Sequence, residues 1–156
     1  MAQWGCYGTG VMDAAQRTAS LEIGQGRANT MKITAKICIG DDDSVSAASI
    51  AKAYNGGSKT DWFLPSRKEL DALCNEFFTG RSGEANPVDN CMGSGNTKSV
   101  TSATNATPVW SFAAGLYWSS SESYINGAWA QSFSPGGQDS FTKGLATLYV
   151  RPVRAF

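Results

Sequence analysis

The residue types most often used for chemistry are few in this chain and are spaced without a catalytic pattern. Histidine is absent, which removes the usual general base of serine and cysteine hydrolases and the commonest ligand of transition metals. The four cysteines, Cys6, Cys38, Cys74 and Cys91, include no C-x-x-C pair of the kind that binds zinc or forms a thioredoxin-like redox site. We therefore expect the chain not to be an enzyme.

The cysteines suit disulfide bonds and buried thiols equally well. Four cysteines allow three pairings when they are oxidised. Cys74 and Cys91 enclose a segment rich in glycine and asparagine, which makes them a candidate disulfide. Small buried thiols are the alternative that the sequence leaves open.

One cluster of carboxylates is found in the sequence, the run from Asp41 to Asp43. Calcium takes about 6–8 oxygen ligands from a shaped loop. Three consecutive aspartates cannot all point at one ion, so this run predicts a solvated loop. We expect no metal and no other cofactor.

Charge and hydropathy limit the classes of partner. Thirteen basic and thirteen acidic residues cancel, and the basic residues are scattered, so no field attracts nucleic acid or an anionic membrane. No segment reaches the roughly 18 apolar residues of a membrane span. The residues from Met1 to Cys6 lack the features of a signal peptide. We expect no nucleic-acid binding and no membrane insertion.

A chain of 156 residues fits a single domain, residues 1–156. The first 27 residues, with their scattered glycines, predict strands and loops. Helical patterns follow, one from a cap at Asn29 or Thr30 and one from Ser44 to Tyr54. The polar, aperiodic residues 79–108 predict a long loop.

The clearest helix signal lies between these segments and the long loop. Pro65 precedes a capping box in which Ser66 and Glu69 can each bond the backbone amide of the other. Leu70 and Leu73, followed by Cys74 and Phe77, then recur on one side of a helix. This pattern predicts a helix from about residue 66 to 78.

The C-terminal part has the patterns of strands. Trp129, Gln131 and Phe133 alternate with small residues, as in a half-buried strand. The turn at 135–137 and a last strand from Leu148 to Val153 follow.

Three segments together resemble a known family: Asp61–Ser66 with Glu69, Tyr117–Glu122, and Tyr149–Arg154. They are similar to bacterial and phage domains that share the C-type-lectin-like fold of formylglycine-generating enzyme, including the variable proteins of diversity-generating retroelements. The match spans roughly residues 24 to 156, and its motifs are specific in combination. The resemblance implies an α+β domain in which two helices pack on a small twisted antiparallel sheet, with long loops and neighbouring termini.

The motif residues have structural roles in this interpretation. Trp62 and Trp118 are large enough to fill a shared core, and Arg151 or Arg154 can pair with a glutamate to hold the last strand. The glutamates available are Glu122 and Glu69. The expected structural framework is Trp62, Pro65, Ser66, Glu69, Trp118, Glu122, Trp129, Arg151 and Arg154.

The resemblance offers two functions that the motifs do not favour. Formylglycine-generating enzymes bind copper through cysteines late in the domain, but no cysteine follows Cys91. Calcium-dependent lectins carry Glu-Pro-Asn or Gln-Pro-Asp and Trp-Asn-Asp, none of which occurs here. Carbohydrate binding without calcium stays open, because tryptophan and tyrosine rings stack on sugars.

The third function is that of the retroelement variable proteins. In those relatives, randomised adenines in asparagine codons can produce most residues but not Gln, Glu, Lys, Met or Trp. The region 115–149 is consistent with this rule. Its Gln, Glu, Lys and Trp residues belong to the fixed framework, and none of the five excluded types occurs among the candidate residues between them. The ligand-binding candidates are Ser123, Tyr124, Ile125, Gly127, Ala130, Ser132, Ser134, Pro135, Gly137, Asp139, Ser140, Phe141, Gly144, Leu145, Ala146 and Leu148.

The resemblance thus implies a non-enzymatic display protein that binds mainly a protein ligand or surface receptor. Its expected location is a phage particle or a bacterial cell surface. The leading alternative is a lectin-like adhesion or carbohydrate-binding domain of fixed sequence. The plain alternative is a glycine- and serine-rich loop region around a hairpin, with no binding role.

Overall fold

The computed structural model describes residues 1–41, 43–79, 100–101, 108–110, 113, 115–133 and 136–155, and it is of mixed α+β class. The helices are α1 (Ala14–Ala19), α2 (Gly26–Ala35), α3 (Ala47–Ala53) and α4 (Arg67–Thr79), with a short 3₁₀ turn at Gly56–Ser58. The strands are β1 (Val100–Thr101), β2 (Pro108–Trp110), β3 (Leu116–Tyr124), β4 (Gly127–Ser132) and β5 (Gln138–Thr142). Of the helices described, none is long and apolar enough to span a membrane.

The main sheet is antiparallel, in the order β3-β4-β5, while β1 and β2 form a separate pair. Strand β3 is irregular between Trp118 and Glu122, where its register against β4 shifts. The strands β3 and β4 meet at a two-residue turn between Tyr124 and Gly127. The predicted strand around Trp129 is therefore found as β4, in the centre of the sheet, whereas β5 lies where the sequence predicted no strand.

Helix α4 confirms the prediction from its capping box. The Ser66 amide donates to Glu69 Oε2 at 2.7 Å, and the Glu69 amide donates to Ser66 Oγ at 3.2 Å. Leu70 and Cys74 are buried on the predicted apolar side. The helix begins at Arg67, within one residue of the predicted start.

The N-terminal predictions are wrong in two places. Residues predicted as strands and loops include α1, which begins with a capping box between Asp13 and Gln16. Helix α2 begins at Gly26, so Asn29 lies inside it and does not cap it. The Asn29 amide group is buried and donates to the Ser20 carbonyl and the Ser120 hydroxyl, which satisfies a polar side chain inside a helix.

The core lies between the inner face of the main sheet and the helices α2 and α3. Trp118 and Trp4 are both fully buried there, together with Ile33 and Leu64. Trp62, which the sequence placed in this core, is only half-buried. It packs edge-on against Tyr54 outside the core, and its indole donates to a backbone carbonyl.

The end of the chain is held by bridges and not by the predicted strand. Leu148 pairs with Ala2, Tyr149 with Tyr117, and Val153 with Phe63. These three bridges join the C-terminal segment to the N-terminal segment, to strand β3 and to the segment before α4. The bridge between residues 2 and 148 places the start of the chain beside the segment that follows β5.

The predicted pairing of the C-terminal arginines with Glu122 or Glu69 is wrong for Arg154. Its guanidinium binds Asp61 through two hydrogen bonds of 2.9 and 3.0 Å, and this contact lowers the pKa of Asp61. Glu69 instead accepts from the backbone amides of Gly24 and Ser66. A backbone partner is available because α4 starts beside the loop that ends α1.

Ile37 has an unfavourable backbone conformation at the end of α2. It follows the C-cap residue Lys36 and has φ of 53°, in the left-handed region where a β-branched residue is strained. Its side chain is 81% exposed, so little packing offsets that strain. We predict that Ile37→Gly raises the free energy of unfolding by about 0.5–1 kcal/mol in urea denaturation. Ile37→Val keeps the β-branch and should leave it unchanged, and a destabilising Ile37→Gly would show that the side chain has a packing role.

Candidate functional site

The two faces of the main sheet differ in how much of each is covered. Ala128 and Ala130 in β4 point into the core beside Trp118. On the opposite face, α4 covers one end, where Leu70 and Cys74 pack on Tyr117 and Phe133 in a second apolar cluster. The rest of that face, towards the β3–β4 turn, is not covered by α4.

We call this uncovered part the outer face. In its centre, Trp129 pairs in register with Ser140, whose hydroxyl forms a hydrogen bond with that of Ser123. The Tyr124 ring lies over Gly127, where a Cβ would collide with it. The outer face thus consists of Ser123, Tyr124, Gly127, Trp129 and Ser140, with Arg67 and Gln138 at its border with α4.

The outer face has exposed side chains at the β3–β4 turn. Tyr124 and Ile125 are each 49% exposed. The backbone of the turn is fixed, since Asn126 accepts from Gly8 through its side chain and from Lys143 through its carbonyl, at 3.0 and 2.9 Å. A fixed backbone with exposed side chains is suited to contact with a ligand.

A buried ion pair lies beneath the turn. Lys143 and Glu122 both have side chains that are 0% exposed, and they contact each other at 2.5 Å. Glu122 also accepts from the backbone amides of Val11 and Met12, at 2.8 and 3.0 Å. Burial lowers the pKa of Lys143, and the hydrogen bond to Glu122 opposes that shift.

The same lysine connects this pair to the turn and to the N-terminal segment. Its Nζ donates to the carbonyls of Ile125 and Thr9, at 2.9 and 3.2 Å, and lies 4.6 Å from the centre of the Trp4 ring. Every donor of the buried ammonium group therefore has an acceptor nearby. Glu122 has a structural role, as expected, but with a partner that the sequence did not indicate.

A disulfide holds the N-terminal segment that contacts the turn. Cys6 is bonded to Cys38, a pairing that the sequence did not single out among the three possible ones. Cys74 is also disulfide-bonded, while Cys91, its candidate partner, lies outside the described residues. The bond at Cys6 fixes one end of the loop whose Gly8 amide binds Asn126.

We predict that the double variant Cys6→Ser/Cys38→Ser loses about 2–4 kcal/mol of unfolding free energy, because the bond closes a loop across 32 positions. Urea denaturation of the variant and of the parent, both without reductant, measures the loss. Ser49→Ala, which removes a single part-buried hydroxyl contact with Ser46, is the control and should cost about 1 kcal/mol or less. A double variant as stable as the parent would contradict the role of this disulfide.

The predicted ligand-binding residues divide according to their burial. Tyr124, Ile125, Asp139 and Leu145 are exposed, and Leu145 lies in the loop after β5, away from the outer face. Four others are half-buried at or near the sheet: Ser123, Ser132, Gly137 and Ser140. Ser134 and Pro135 lie outside the described residues. The outer face brings together Ser123, Tyr124, Gly127 and Ser140.

The remaining candidates are buried or pack partly buried on the core. Ala130 is 1% exposed and opposes Trp118 on the core face. Phe141 packs edge-on against Trp118, and Ala146 and Leu148 pack on the same core. Gly144 is buried against the side chain of Asp41. We leave these residues out of a contact surface, because exchanging them would disturb packing.

Acidic and thiol groups do not cluster as a metal site in the described part of the chain. No group of three or more Cys, Asp or Glu side chains there could hold a metal ion. Asp41 and Asp43 are exposed, and Asp42 lies outside the described residues. What the described geometry does offer is a surface with aromatic, hydroxyl and guanidinium groups.

Arg67 is the residue of the outer face that sequence reasoning missed. Its guanidinium lies 4.0 Å above the centre of the Trp129 ring, although 62 positions separate the two residues in sequence. Its place within the capping box gave the only local signal, and that signal concerns the helix start.

Comparisons with protein-family models, with curated proteins and with solved structures find no match to the chain.

Proposed function

We propose that the chain is a non-enzymatic binding domain with a C-type-lectin-like fold, whose outer face contacts a protein ligand. We propose further that it is the variable protein of a diversity-generating retroelement, displayed on a phage particle or a bacterial cell surface. The observation that carries the proposal is the outer face itself. There, exposed side chains of Tyr124 and Ile125 extend from a turn whose backbone is fixed by the buried pair of Glu122 and Lys143.

The composition of the outer face supports protein binding. Tyrosine supplies a large contact area with only two side-chain torsions to immobilise, and small hydroxyl residues adapt to different polar partners. Tyr124 next to Ser123 and Ser140 provides this combination. Binding energy concentrated in a few anchors surrounded by small residues is typical of protein interfaces.

Burial also supports diversification of a smaller set of positions than the sequence indicated. Substitutions at exposed positions usually change stability by less than about 0.5 kcal/mol, whereas core substitutions cost several times more. Tyr124, Ile125, Asp139 and Leu145 are exposed, and Ser123 and Ser140 are half-buried in the outer face. All six have residue types that an asparagine codon can produce by adenine exchange. We propose these six as the exchangeable positions.

The coding DNA tests the diversification. We expect a second, nearly identical copy of the segment encoding residues 115–149, differing almost only at adenines and lying near a reverse transcriptase gene. The differences should fall in codons of exposed positions and spare those of Trp118, Trp129 and Ala130. Absence of the copy and of the gene would refute the retroelement assignment.

A fixed-sequence carbohydrate-binding domain is the second candidate, favoured by the exposed ring of Tyr124 beside two hydroxyls. Its weakness is that the guanidinium of Arg67 already lies over one side of the Trp129 ring, which leaves that side closed to a sugar. A glycan array decides between the candidates. Binding to defined glycans that is lost in Tyr124→Ala would favour carbohydrate over protein.

A further inference from the structure

Resting on the proposed function, we propose that Arg67 is the polar anchor of the outer face and that the protein ligand presents a carboxylate to it. The first support is that the guanidinium is already held in place. Its Cζ lies 4.0 Å above the Trp129 ring, and its Nε donates to Gln138 Oε1 at 2.6 Å. Gln138 Nε2 donates back to the Arg67 carbonyl at 2.8 Å. An anchor fixed before binding loses little side-chain entropy on binding.

The second support is that Arg67 has no acidic partner in the part of the chain that the structure describes. The salt bridges found there join other residues: Arg17 and Lys143 with Glu122, Lys68 with Glu22, and Arg154 with Asp61. Asp71, one helical turn further along α4, forms no salt bridge with it.

The acidic residue of the neighbouring strand does not face Arg67 either. Asp139 opposes Ala130 in the register of β4 and β5. Residues opposed in this way share a face, so Asp139 lies on the side of Ala130 and not on that of Trp129. Arg67 thus forms no salt bridge with a described residue.

The third support is the geometry of the donors that are left. Nε is used by Gln138, and no hydrogen bond from either Nη atom occurs among the described residues. Two parallel N–H groups at the end of a planar guanidinium match the two oxygens of a carboxylate. Arg67 is half-buried, and partial removal from water strengthens such a charged hydrogen bond.

The chemistry of the rest of the outer face favours a single carboxylate over a phosphate or sulfate cluster. Arg67 is the one charged residue among those that we assign to the outer face, beside Ser123, Trp129 and Ser140. One guanidinium balances one negative charge, while multiply charged ligands are usually held by several basic side chains. We therefore expect the side chain of an Asp or Glu of a protein ligand, flanked by apolar contacts to Tyr124.

Short random peptides displayed on filamentous phage provide the probe, selected on the full chain. Peptides whose binding is lost in Tyr124→Ala are outer-face binders, and these should be enriched in Asp or Glu. Replacing that acidic residue by Asn or Gln in the peptide should weaken binding by about tenfold or more. Arg67→Gln should weaken it to the same degree, and combining both changes should add little, as expected for two directly interacting groups.

Controls separate the anchor from a general effect of charge or folding. Arg27→Gln removes a charge from the exposed surface of α2 and should leave peptide binding unchanged. Arg67→Lys keeps the charge without the planar fork and should lose most of the affinity. If Arg67→Gln does not fold, the peptide substitutions on the unmodified chain still test whether a carboxylate is needed.

Two results would overturn the inference in different ways. The carboxylate anchor would be refuted if the outer-face binders lack acidic residues. It would also be refuted if Arg67→Gln weakens binding of the acidic peptide and of its amide variant equally. Either result would leave the proposed binding function standing. Failure to obtain any peptide that depends on Tyr124 would count against both.

Discussion

Replacing Lys143 by methionine should lower the free energy of unfolding by about 3–5 kcal/mol, which is the usual cost of leaving one partner of a buried ion pair alone. Methionine fills a similar volume, so the loss comes from charge and not from a cavity. Glu122 would keep the amides of Val11 and Met12 but lose its contact with the buried ammonium group. The carbonyls of Thr9 and Ile125 would lose their donor as well.

Urea denaturation followed by tryptophan fluorescence measures this loss. Lys68→Met is the matched control, because Lys68 pairs with Glu22 at 2.7 Å on the surface, where both side chains are more than half exposed. An exposed pair of this kind contributes about 0–1 kcal/mol. A Lys143→Met variant as stable as this control would show that Glu122 is sufficiently compensated by backbone amides and Arg17.

The size of this effect matters for binding because Lys143 also fixes the β3–β4 turn. Its backbone amide and its ammonium group bind the carbonyls of Asn126 and Ile125. Where Lys143→Met still folds, the exposed side chains of the turn should be less ordered. Binding of an outer-face ligand would then weaken without any change at a contact residue.

Local signals in the sequence predicted local structure well. The start of α4 follows from Ser66 and Glu69, because a capping box involves only residues three apart. Helix α1 has an equivalent signal in Asp13 and Gln16, and it was missed because the surrounding glycines suggested loops. Strand β4 was predicted from alternation and is present, whereas β5 was not predicted and the strand expected from Leu148 to Val153 is replaced by isolated bridges.

The faces of β4 could not be assigned from alternation alone. Its central residues are buried on both faces, since Ala130 lies in the core and Gln131, on the opposite face, is 0% exposed. Alternation distinguishes the two faces of a strand only where one of them is exposed. For that reason Ala130 was assigned to the surface although it opposes Trp118.

The site depends on contacts between distant parts of the chain, which a single sequence does not reveal. The Glu122 carboxylate binds amides more than one hundred positions away, and Arg67 reaches Trp129 from another element. Neither contact leaves a periodic or spaced pattern of residue types. The chemistry of Arg67 becomes visible only once α4 and the sheet are packed together.

Trp118→Ala should lower the free energy of unfolding by about 3–5 kcal/mol, whereas Tyr124→Ala should change it by less than about 0.5 kcal/mol. Both aromatics belong to β3, but Trp118 is fully buried, with its indole donating to the Ala2 carbonyl at 2.9 Å. Removing it leaves a cavity and takes one of two donors from the Ala2 carbonyl, which keeps the Leu148 amide. Tyr124 is half exposed and lies on Gly127, so its removal uncovers little apolar surface.

Urea denaturation of both variants measures the contrast, with Phe133→Leu as a control for a moderate change in the second apolar cluster. A display domain requires this contrast, because core residues that tolerate no substitution must support surface positions that tolerate many different side chains. If Tyr124→Ala proves as destabilising as Trp118→Ala, the turn belongs to the frame. A freely exchanged side chain at position 124 would then be incompatible with folding, and the outer face could not serve as a diversified surface.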